Sequence, residues 1–342
     1  MGKNRRQSAL TKSIQTGVLR DPAQQFHKTA WGRLLAFFSL FKIKLVRHDQ
    51  ELFRTLRREI WQFDENEYQD SFRTSGGQPP LKTMGDLGYS GSTFFGTLDG
   101  RYVIKSIPRH FEYTFFQSDL LEPYYDHMRD HPDSMLVWIT DYLIAPYSTL
   151  GTVLSWTPAH HIIMENILCG KSDDLASNKW ETYDLKPLEY FYPERDLVPE
   201  PLVSEDTLNR LSDHFEDKLH LSREDYNTFI QAMKTDTKFL EDANAVDYSM
   251  FLVRIPASST PECLGRKSPW RAGIRSADGK WKYRAVILDF FWAKHKLHAQ
   301  ALSGVVQTFN VVGRQGHMSI TTTSTDYREK FLAMVEGMIQ IH

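Results

Sequence analysis

A strand is predicted for Asp247-Tyr-Ser-Met-Phe-Leu-Val-Arg-Ile255, and a second for Tyr283-Arg-Ala-Val-Ile-Leu-Asp-Phe290. The polar run between them, residues 256–282, is predicted to be a long loop. If the strands pair as an antiparallel hairpin, the start of the first lies beside the end of the second. Asp247 and Asp289 are then expected at one rim, where carboxylates are costly unless they meet a cation. A magnesium–nucleotide complex meets that need, although each aspartate can also simply cap a strand or turn.

A third aspartate precedes this hairpin in Thr182-Tyr-Asp-Leu-Lys186. If the segment is extended, the side chains of Asp184 and Lys186 alternate onto one face. A lysine there is suited to stabilise negative charge on a transferred phosphoryl group. The alternative is an ordinary surface ion pair.

A glycine-rich segment lies further towards the N-terminus, in Gly88-Tyr-Ser-Gly-Ser-Thr-Phe94. Its small residues, Gly88, Ser90, Gly91 and Ser92, leave backbone N–H groups able to approach phosphate oxygens in a predicted hairpin turn. Lys105 follows on the next predicted strand, after the tight turn Leu98-Asp99-Gly100. A plain turn and a lysine whose amine reaches solvent are the alternatives. Together, the glycine turn, the hairpin and the lysine indicate a site for ATP phosphates.

The remaining pattern predicts an α+β enzyme with two lobes and a cleft. We expect a basic, partly apolar segment at 1–47, an N-terminal lobe at 48–170 and a C-terminal lobe at 171–342. Helices are predicted over Gln50–Trp61, Phe111–Met128 and within Leu197–Lys238, and strands over Met135–Pro146 and His161–Cys169.

Composition limits the function classes. The chain has 342 residues, 41% of them hydrophobic, and a net charge of −2, which argues against bulk electrostatic binding of nucleic acid. Its two cysteines, Cys169 and Cys263, have no metal-ligand spacing, which indicates a reducing compartment and argues against zinc or a disulfide framework. No secretory signal or membrane span is recognisable, so a cytoplasmic protein is expected.

Two segments combine basic and apolar side chains. Residues 1–47 carry ten Lys and Arg against one acidic residue, and residues 31–45 have the aromatic and basic character of an interfacial helix that meets anionic lipid. A helix that covers the core of the domain, or a homodimer contact, explains residues 31–45 equally well. Near the C-terminus, Lys294 and Lys296 precede an apolar run, which suits a loop inserted between anionic headgroups or an amphipathic core helix.

Taken in order, these motifs resemble the phosphatidylinositol phosphate kinase family from about Phe53 to Met338. The glycine-rich segment resembles the glycine-rich loop of the family, and Val103-Ile-Lys105 resembles its ATP-binding strand. Met164-Glu-Asn166 is similar to the hinge strand, and Tyr183-Asp-Leu-Lys186 to the start of the motif DLKGS. Val246-Asp-Tyr-Ser-Met250 resembles MDYSL, and Ile287-Leu-Asp289 resembles IID.

The resemblance implies the two-lobed lipid-kinase fold that is also similar to SAICAR synthase, with antiparallel sheets and helices around an ATP cleft. It implies γ-phosphoryl transfer from ATP, with Mg²⁺, to an inositol hydroxyl of a phosphoinositide, by a peripheral protein on the cytosolic face of a membrane. Lys105, Met164 and Asn166 would bind the nucleotide and Asp289 the magnesium ion. Asp247 would be the catalytic aspartate, and Lys294 and Lys296 would lie in a membrane-facing activation loop.

One departure from the family pattern follows Lys186, where Pro187-Leu188 replaces Gly-Ser. Proline has no N–H and a fixed φ, so a contact made there by the Gly-Ser pair is not assured. This leaves open a pseudokinase that binds phosphoinositides as a scaffold. A kinase for soluble inositol phosphates is the third reading.

Overall fold

The computed structural model describes residues 2–20, 37–74, 79–84, 93–187, 215–259, 268–293 and 323–342. These residues form two compact units. Unit 1 takes the described residues within 1–109 and 138–172, and unit 2 those within 110–137, 173–262 and 266–342. Residues 110–137, which the sequence assigned to an N-terminal lobe, therefore group with unit 2.

Unit 1 is built on a six-stranded antiparallel sheet of order β1-β5-β6-β4-β3-β2. The predicted Asp99-Gly100 turn is confirmed, because Gly100 has φ 71° and joins β3 to β4. The strands are β1 (Val46–Arg47), β2 (Lys82–Thr83), β3 (Phe94–Gly96), β4 (Tyr102–Ser106), β5 (Ile139–Ile144) and β6 (His160–Glu165).

The helices of unit 1 cover one core against this sheet. The first, α1, was not predicted, yet Leu10, Ile14 and Val18 recur at i, i+4 and i+8 and lie buried in that core. The predicted helix at residues 50–61 is present, and its second half is a π-helical turn over Leu56–Ile60. The helices are α1 (Gly2–Leu19), α2 (Gln50–Thr55), α3 (Glu65–Asp70) and α6 (Leu150–Val153).

A buried charged network ties α2 and α3 to the sheet. The Arg57 guanidinium, with no exposed surface, donates to Glu65 at 2.6 Å and to the Thr140 carbonyl at 2.6 Å. It also lies 3.3 Å from Asp141, which accepts a hydrogen bond from Tyr68. Each buried charge therefore has partners, as burial of ions requires.

Unit 2 contains a four-stranded antiparallel sheet of order β11-β12-β10-β7. The predicted hairpin is confirmed, because β10 and β12 pair antiparallel over eight residues each. The long loop was only partly right, because a short helix and strand β11 lie within it. The strands are β7 (Glu181–Leu185), β8 (Leu219–Leu221), β9 (Ala245–Val246), β10 (Ser249–Pro256), β11 (Ile274–Arg275), β12 (Trp281–Leu288), β13 (Trp292–Ala293) and β14 (Ile339–Ile341).

The helices of unit 2 flank this sheet. The helix predicted over Phe111–Met128 is present as two α-helices joined by a π-helical segment, Phe116–Leu120. The helical prediction for Leu197–Lys238 was only partly right, because strand β8 lies within it and α7 begins at Arg223 and extends to Asp242. Strand β14 pairs parallel with β8. The helices are α4 (His110–Phe115), α5 (Leu121–Asp130), α7 (Arg223–Asp242), α8 (Pro269–Ala272) and α9 (Ser324–Gly337).

Cys169 corrects one expectation from the sequence, because it is disulfide-bonded. The only other cysteine in the sequence is Cys263, which lies outside the described residues. The argument against a disulfide was therefore wrong. Among the described residues, no helix combines the length and apolar character that a membrane span requires.

Candidate active site

Three strands of unit 2 bring charged residues together at one end of the sheet. Ser249 at the start of β10 lies opposite Leu288 at the end of β12, so Asp247 and Asp289 occupy the same rim. On the other side of β10, Leu185 lies opposite Met250, which places Lys186 at that rim too. The rim predicted from the hairpin is present, and β7 adds the lysine.

Both aspartates occupy breaks between strands. Asp247 lies between β9 and β10, and Asp289 between β12 and β13, whereas the flanking pairs β9–β13 and β10–β12 are regular. Each has a left-handed backbone, with φ 65° for Asp247 and φ 62° for Asp289. Asp adopts this conformation more readily than most non-glycine residues, and such outliers are frequent at functional sites. The breaks remove both carboxylates from the alternation of the strands.

The predicted lysine forms an ion pair with one of these aspartates. Lys186 Nζ lies 2.8 Å from Asp247 Oδ1, and the two side chains are 13% and 15% exposed. Burial lowers the pKa of Lys186, but the charges of Asp247, Asp184 and Asp289 and the hydrogen bond to Asp247 raise it above its ordinary value. Lys186 is therefore an ammonium at neutral pH.

The four charged groups carry an excess of negative charge. Asp184, opposite Phe251 in the sheet, acts on Lys186 together with Asp247 and Asp289. Three carboxylates thus act on one ammonium, and their oxygen atoms are donors that fit a divalent cation. No group of three or more His, Cys, Asp or Glu side chains in the described part of the chain is arranged to hold a metal ion by itself. Mg²⁺ commonly uses one or two carboxylates and completes its shell with waters and phosphates, so this donor set fits it.

Aromatic side chains support the break that contains Asp289. The Phe290 ring stacks on Tyr124 of α5 at 6.1 Å, and Phe291 packs edge-on against Phe116 at 5.4 Å. Trp292 Nε1 donates to Glu112 Oε1 at 3.2 Å. Sequence reasoning missed this support, although the run Phe290-Phe291-Trp292 directly after the aspartate was a visible signal.

The other break is supported from the C-terminal helix. The hydroxyl of Tyr327 in α9 donates to the Tyr248 carbonyl, next to Asp247. The Tyr248 ring also packs edge-on against Tyr327 and Phe331 at 4.7 and 4.9 Å. Helix α9 therefore fixes the backbone that presents Asp247.

In unit 1, Lys105 lies within the ladder of β4, opposite Phe94 of β3 and Ile162 of β6. It is 4% exposed, and its Nζ lies 5.7 Å from the centre of the Phe94 ring. The inward orientation predicted from strand alternation is confirmed.

The two residues predicted to form a hinge, Met164 and Asn166, differ in accessibility, because Met164 is buried and Asn166 is half-buried. Met164 is 6% exposed on β6, opposite Val103. Asn166 follows the strand, and its amide donates to the Gly100 carbonyl at 2.6 Å while its side-chain oxygen accepts from Leu168 N at 3.0 Å. The Asn166 side chain thus fixes the turn after β6.

Several predicted site residues lie outside the described residues, namely Gly88, Ser90, Gly91, Ser92, Lys294 and Lys296. The strands on either side of the predicted glycine-rich loop, β2 and β3, pair antiparallel with Thr83 opposite Phe95. The phosphate-binding role of the loop stays a prediction, as does the activation loop.

Comparison with known proteins identifies the family of the chain. The sequence profile of the family described as phosphatidylinositol-4-phosphate 5-kinase matches residues 75–268, more than half of the chain. The chain belongs to this family. The matched residues of this phosphatidylinositol-4-phosphate 5-kinase family member include Lys105, Lys186 and Asp247, whereas Asp289 lies beyond them.

Individual relatives agree with the family assignment. The chain is 29% identical to the mouse phosphatidylinositol 4-phosphate 5-kinase type-1 beta over 177 residues, 51% of this chain and 30% of the mouse protein. It is 27% identical to the chicken type-1 beta protein over 241 residues, 68% of this chain and 40% of that protein. It is also 27% identical to a probable phosphatidylinositol phosphate kinase of Dictyostelium discoideum over 181 residues, 52% of this chain and 22% of that protein. The matched segments thus span less than half the length of these relatives.

Proposed function

We propose that this chain is a phosphatidylinositol phosphate kinase, which transfers the γ-phosphoryl group of ATP to an inositol hydroxyl of a phosphoinositide. The observation that carries the proposal is the rim of unit 2, where Lys186 pairs with Asp247 in the field of Asp184 and Asp289. Membership of the family and the names of the relatives support it.

The rim offers a role for each charged group. Asp289 and Asp184 are the carboxylates that would hold Mg²⁺, which when bound neutralises charge on the phosphate oxygens. Asp247 would orient the attacking hydroxyl and accept its proton. Lys186, held protonated by the three carboxylates, would stabilise negative charge as it develops on the transferred group.

The nucleotide would be bound by unit 1. Lys105 supplies an ammonium from within β4, and the glycine-rich segment with Gly88, Ser90, Gly91 and Ser92 supplies backbone donors. Met164 offers an apolar contact for the adenine ring. Because the Asn166 side chain is bonded to Gly100 and Leu168, its contribution would be to hold this turn in place.

The proposed lipid substrate requires the protein to act at a membrane surface. A phosphoinositide is presented by an anionic bilayer, so Lys294 and Lys296 would contact headgroups there. The protein would then work in the cytoplasm as a peripheral protein on the cytosolic face of a membrane.

The test is transfer of radiolabel from ATP, with Mg²⁺, to liposomes that each carry one phosphoinositide. Wild-type protein is expected to label at least one lipid, whereas Asp289→Asn and Asp247→Asn are expected to label none because they remove charge at the rim. Asp242→Asn is the matched control, since its side chain is 64% exposed on α7, and it should label lipid as wild type does. Equal labelling by Asp289→Asn and wild type would refute the proposed site.

A second candidate is the phosphoinositide-binding pseudokinase, which Pro187 favours. Pro187 is buried directly after Lys186 and has no N–H to give to a phosphate. This function predicts liposome binding with no labelled lipid from wild type. ATP protection against thermal unfolding without turnover would identify a pseudokinase that still binds nucleotide.

A further inference from the structure

Unit 1 carries an exposed apolar surface that the proposed catalytic roles do not use. We name it the aromatic patch, and it is formed by Phe37, Phe38, Phe41, Val153, Leu154 and Trp156. Four of these side chains are strongly exposed: Phe38 63%, Val153 61%, Trp156 46% and Leu154 44%. Contiguous exposed apolar surface of this kind marks a site of interaction with a protein or a membrane.

The two segments of the aromatic patch form one surface. Gly151 N donates to the Ser39 carbonyl at 3.1 Å, and Thr157 Oγ1 donates to the Leu40 carbonyl at 2.8 Å. The Phe41 and Trp156 rings stack, with centroids 6.5 Å apart. Glycine is required at 151, because a Cβ there would lie 1.9 Å from the Leu40 oxygen. The rings are therefore held side by side.

The backbone beneath the aromatic patch satisfies its own hydrogen bonds. Every N–H from residue 151 to 157 donates within the protein: to Ser39 O, Thr149 Oγ1, Thr149 O, Leu150 O, Thr152 O, Gly151 O and Gly151 O in turn. The Thr149–Thr152 capping box supplies the contact at the helix start. A loop that enters lipid must leave no donor without a partner, because no water is available there. This loop meets that condition for its donors.

The charge around the aromatic patch suits an anionic surface. Residues 142–164 contain no Asp, Glu, Lys or Arg. Residues 37–48 contain no acidic residue, and Lys42, next to Phe41, is exposed. A docking site for a soluble protein is expected to carry a polar rim with charges of both signs. Aromatic side chains beside lysine are typical of a bilayer interface instead.

We propose that the aromatic patch inserts into the interfacial region of an anionic phospholipid bilayer. Phe38, Val153, Leu154 and Trp156 enter the boundary between headgroups and acyl chains, and Lys42 meets the phosphates. This inference rests on the proposed function in taking the bilayer as the place where the substrate is presented. It assigns a second membrane contact, separate from the predicted activation loop.

The experiment is sedimentation of the full chain with vesicles of phosphatidylcholine, alone or with phosphatidylserine. We expect the double variant Phe38→Ser/Trp156→Ser to lose about tenfold or more in partitioning, because two large rings no longer enter the apolar region. The matched control is Leu98→Ser/Leu175→Ser, which removes two exposed leucines outside the patch, 42% and 103% exposed. The control should partition as wild type does. Brominated lipid should quench the tryptophan fluorescence of wild type more strongly than that of Trp156→Phe.

Two outcomes would overturn the inference. The first is equal sedimentation of the double variant and wild type. The second is a wild-type dimer in analytical ultracentrifugation that the double variant dissociates while vesicle binding stays unchanged, which would make the aromatic patch a contact between copies. The proposed function is tested separately, by phosphorylation of a water-soluble short-chain phosphoinositide. The double variant should phosphorylate it at the wild-type rate, and absence of phosphorylation by both proteins would refute the kinase and leave the insertion result standing.

Discussion

Lys105 in unit 1 and Lys186 in unit 2 are both lysines at the end of an apolar strand pattern, but their surroundings differ. Lys105 lies inside a regular ladder, with strands paired on both sides, and its Nζ faces the Phe94 ring. Lys186 lies just beyond β7 and pairs with Asp247, in a left-handed break. Lys105 is therefore held within a paired sheet, whereas Lys186 is held beyond the end of its strand by an ion pair.

The two lysines show two ways in which the backbone can present a side chain, from a regular strand or beside a break between strands. A ladder fixes the direction of a side chain by alternation alone. A break costs backbone strain but releases two aspartates from the ladder, where a cation and a phosphate can reach them. The strain is offset by aromatic packing next to each break, through Tyr248 and Phe290.

The largest expected effect comes from replacing each lysine by methionine, which removes the amine and keeps most of the unbranched side chain. Lys186→Met and Lys105→Met should both lower phosphoryl transfer by roughly 10²–10³-fold, since each removes a charge that stabilises phosphate oxygens. Lys186→Met should also lower the free energy of unfolding, by about 1–2 kcal/mol, because Asp247 loses the ammonium that pairs with it. Urea titration of both variants measures this.

Lys238→Met is the control for this comparison, because Lys238 is exposed and forms ion pairs with Glu241 and Asp242 of its own helix. It should change the free energy of unfolding by less than about 0.5 kcal/mol. A Lys186→Met variant as stable as Lys238→Met would show that the ion pair with Asp247 does not stabilise the fold.

A smaller effect is expected from acid, through a buried neutral histidine of unit 1. Burial lowers the pKa of His161 from 6.5 to about 3, outweighing the hydrogen bond to the Pro158 carbonyl, and nearby His160 lowers it further. As pH falls through 6.5 the unfolded chain takes up a proton that the folded chain does not. The free energy of unfolding should therefore decrease by about 1 kcal/mol per pH unit below 6.5 and be insensitive to His161 above it.

The measurement is urea unfolding of wild type and His161→Gln from pH 7.5 down to about pH 4.5. This range covers the pH values at which His161 should lower the free energy of unfolding. The variant should have the shallower dependence on pH. Exposed His110→Gln is the control and should follow wild type. Identical slopes for wild type and His161→Gln would show that His161 does not remain neutral in the folded protein.

The smallest expected effect concerns the backbone at Asp247. Asp247→Asn and Asp247→Gly should unfold at similar urea concentrations, because both residues accept φ near 65°. Asp247→Ala should be less stable than Asp247→Asn by about 1 kcal/mol, since its Cβ crowds the carbonyl in this conformation. Equal stability of the Ala and Asn variants would show that the break relaxes when the carboxylate is lost.

Much of unit 2 was predictable because its signals are local. Two strands with apolar alternation and an aspartate at opposite ends predicted the hairpin and the shared rim. The partner of Lys186 was not predictable in this way. Strand alternation suggested Asp184, two residues away, but β7 pairs with β10 across more than sixty residues of sequence and brings Asp247 within 2.8 Å. A pairing between distant strands has no local signal.

Other elements were missed for physical reasons that differ from case to case. Helix α1 has only three strongly buried apolar residues in a polar sequence, so its stripe at Leu10, Ile14 and Val18 is weak without the sheet it covers. Strand β11 is two residues long and needs β12 beside it. The disulfide bond of Cys169 was missed because the two cysteines are far apart in the sequence and have no recognisable spacing. The inward direction of Lys105 needed only alternation, and it was predicted.

The two ends of the β10–β12 hairpin differ in how well they tolerate modification. Pro256 and Trp281 pair at one end, and the aspartates lie at the other, nine residues from Pro256 and eight from Trp281, or about 25–30 Å. The turn at Asp278-Gly279 is next to the Trp281 end; Gly279 has φ 74°, which favours glycine, but the neighbouring Lys280 side chain is 74% exposed and can carry a label. A fluorophore or an affinity tag placed there would report on the protein from a distance that leaves the catalytic rim undisturbed.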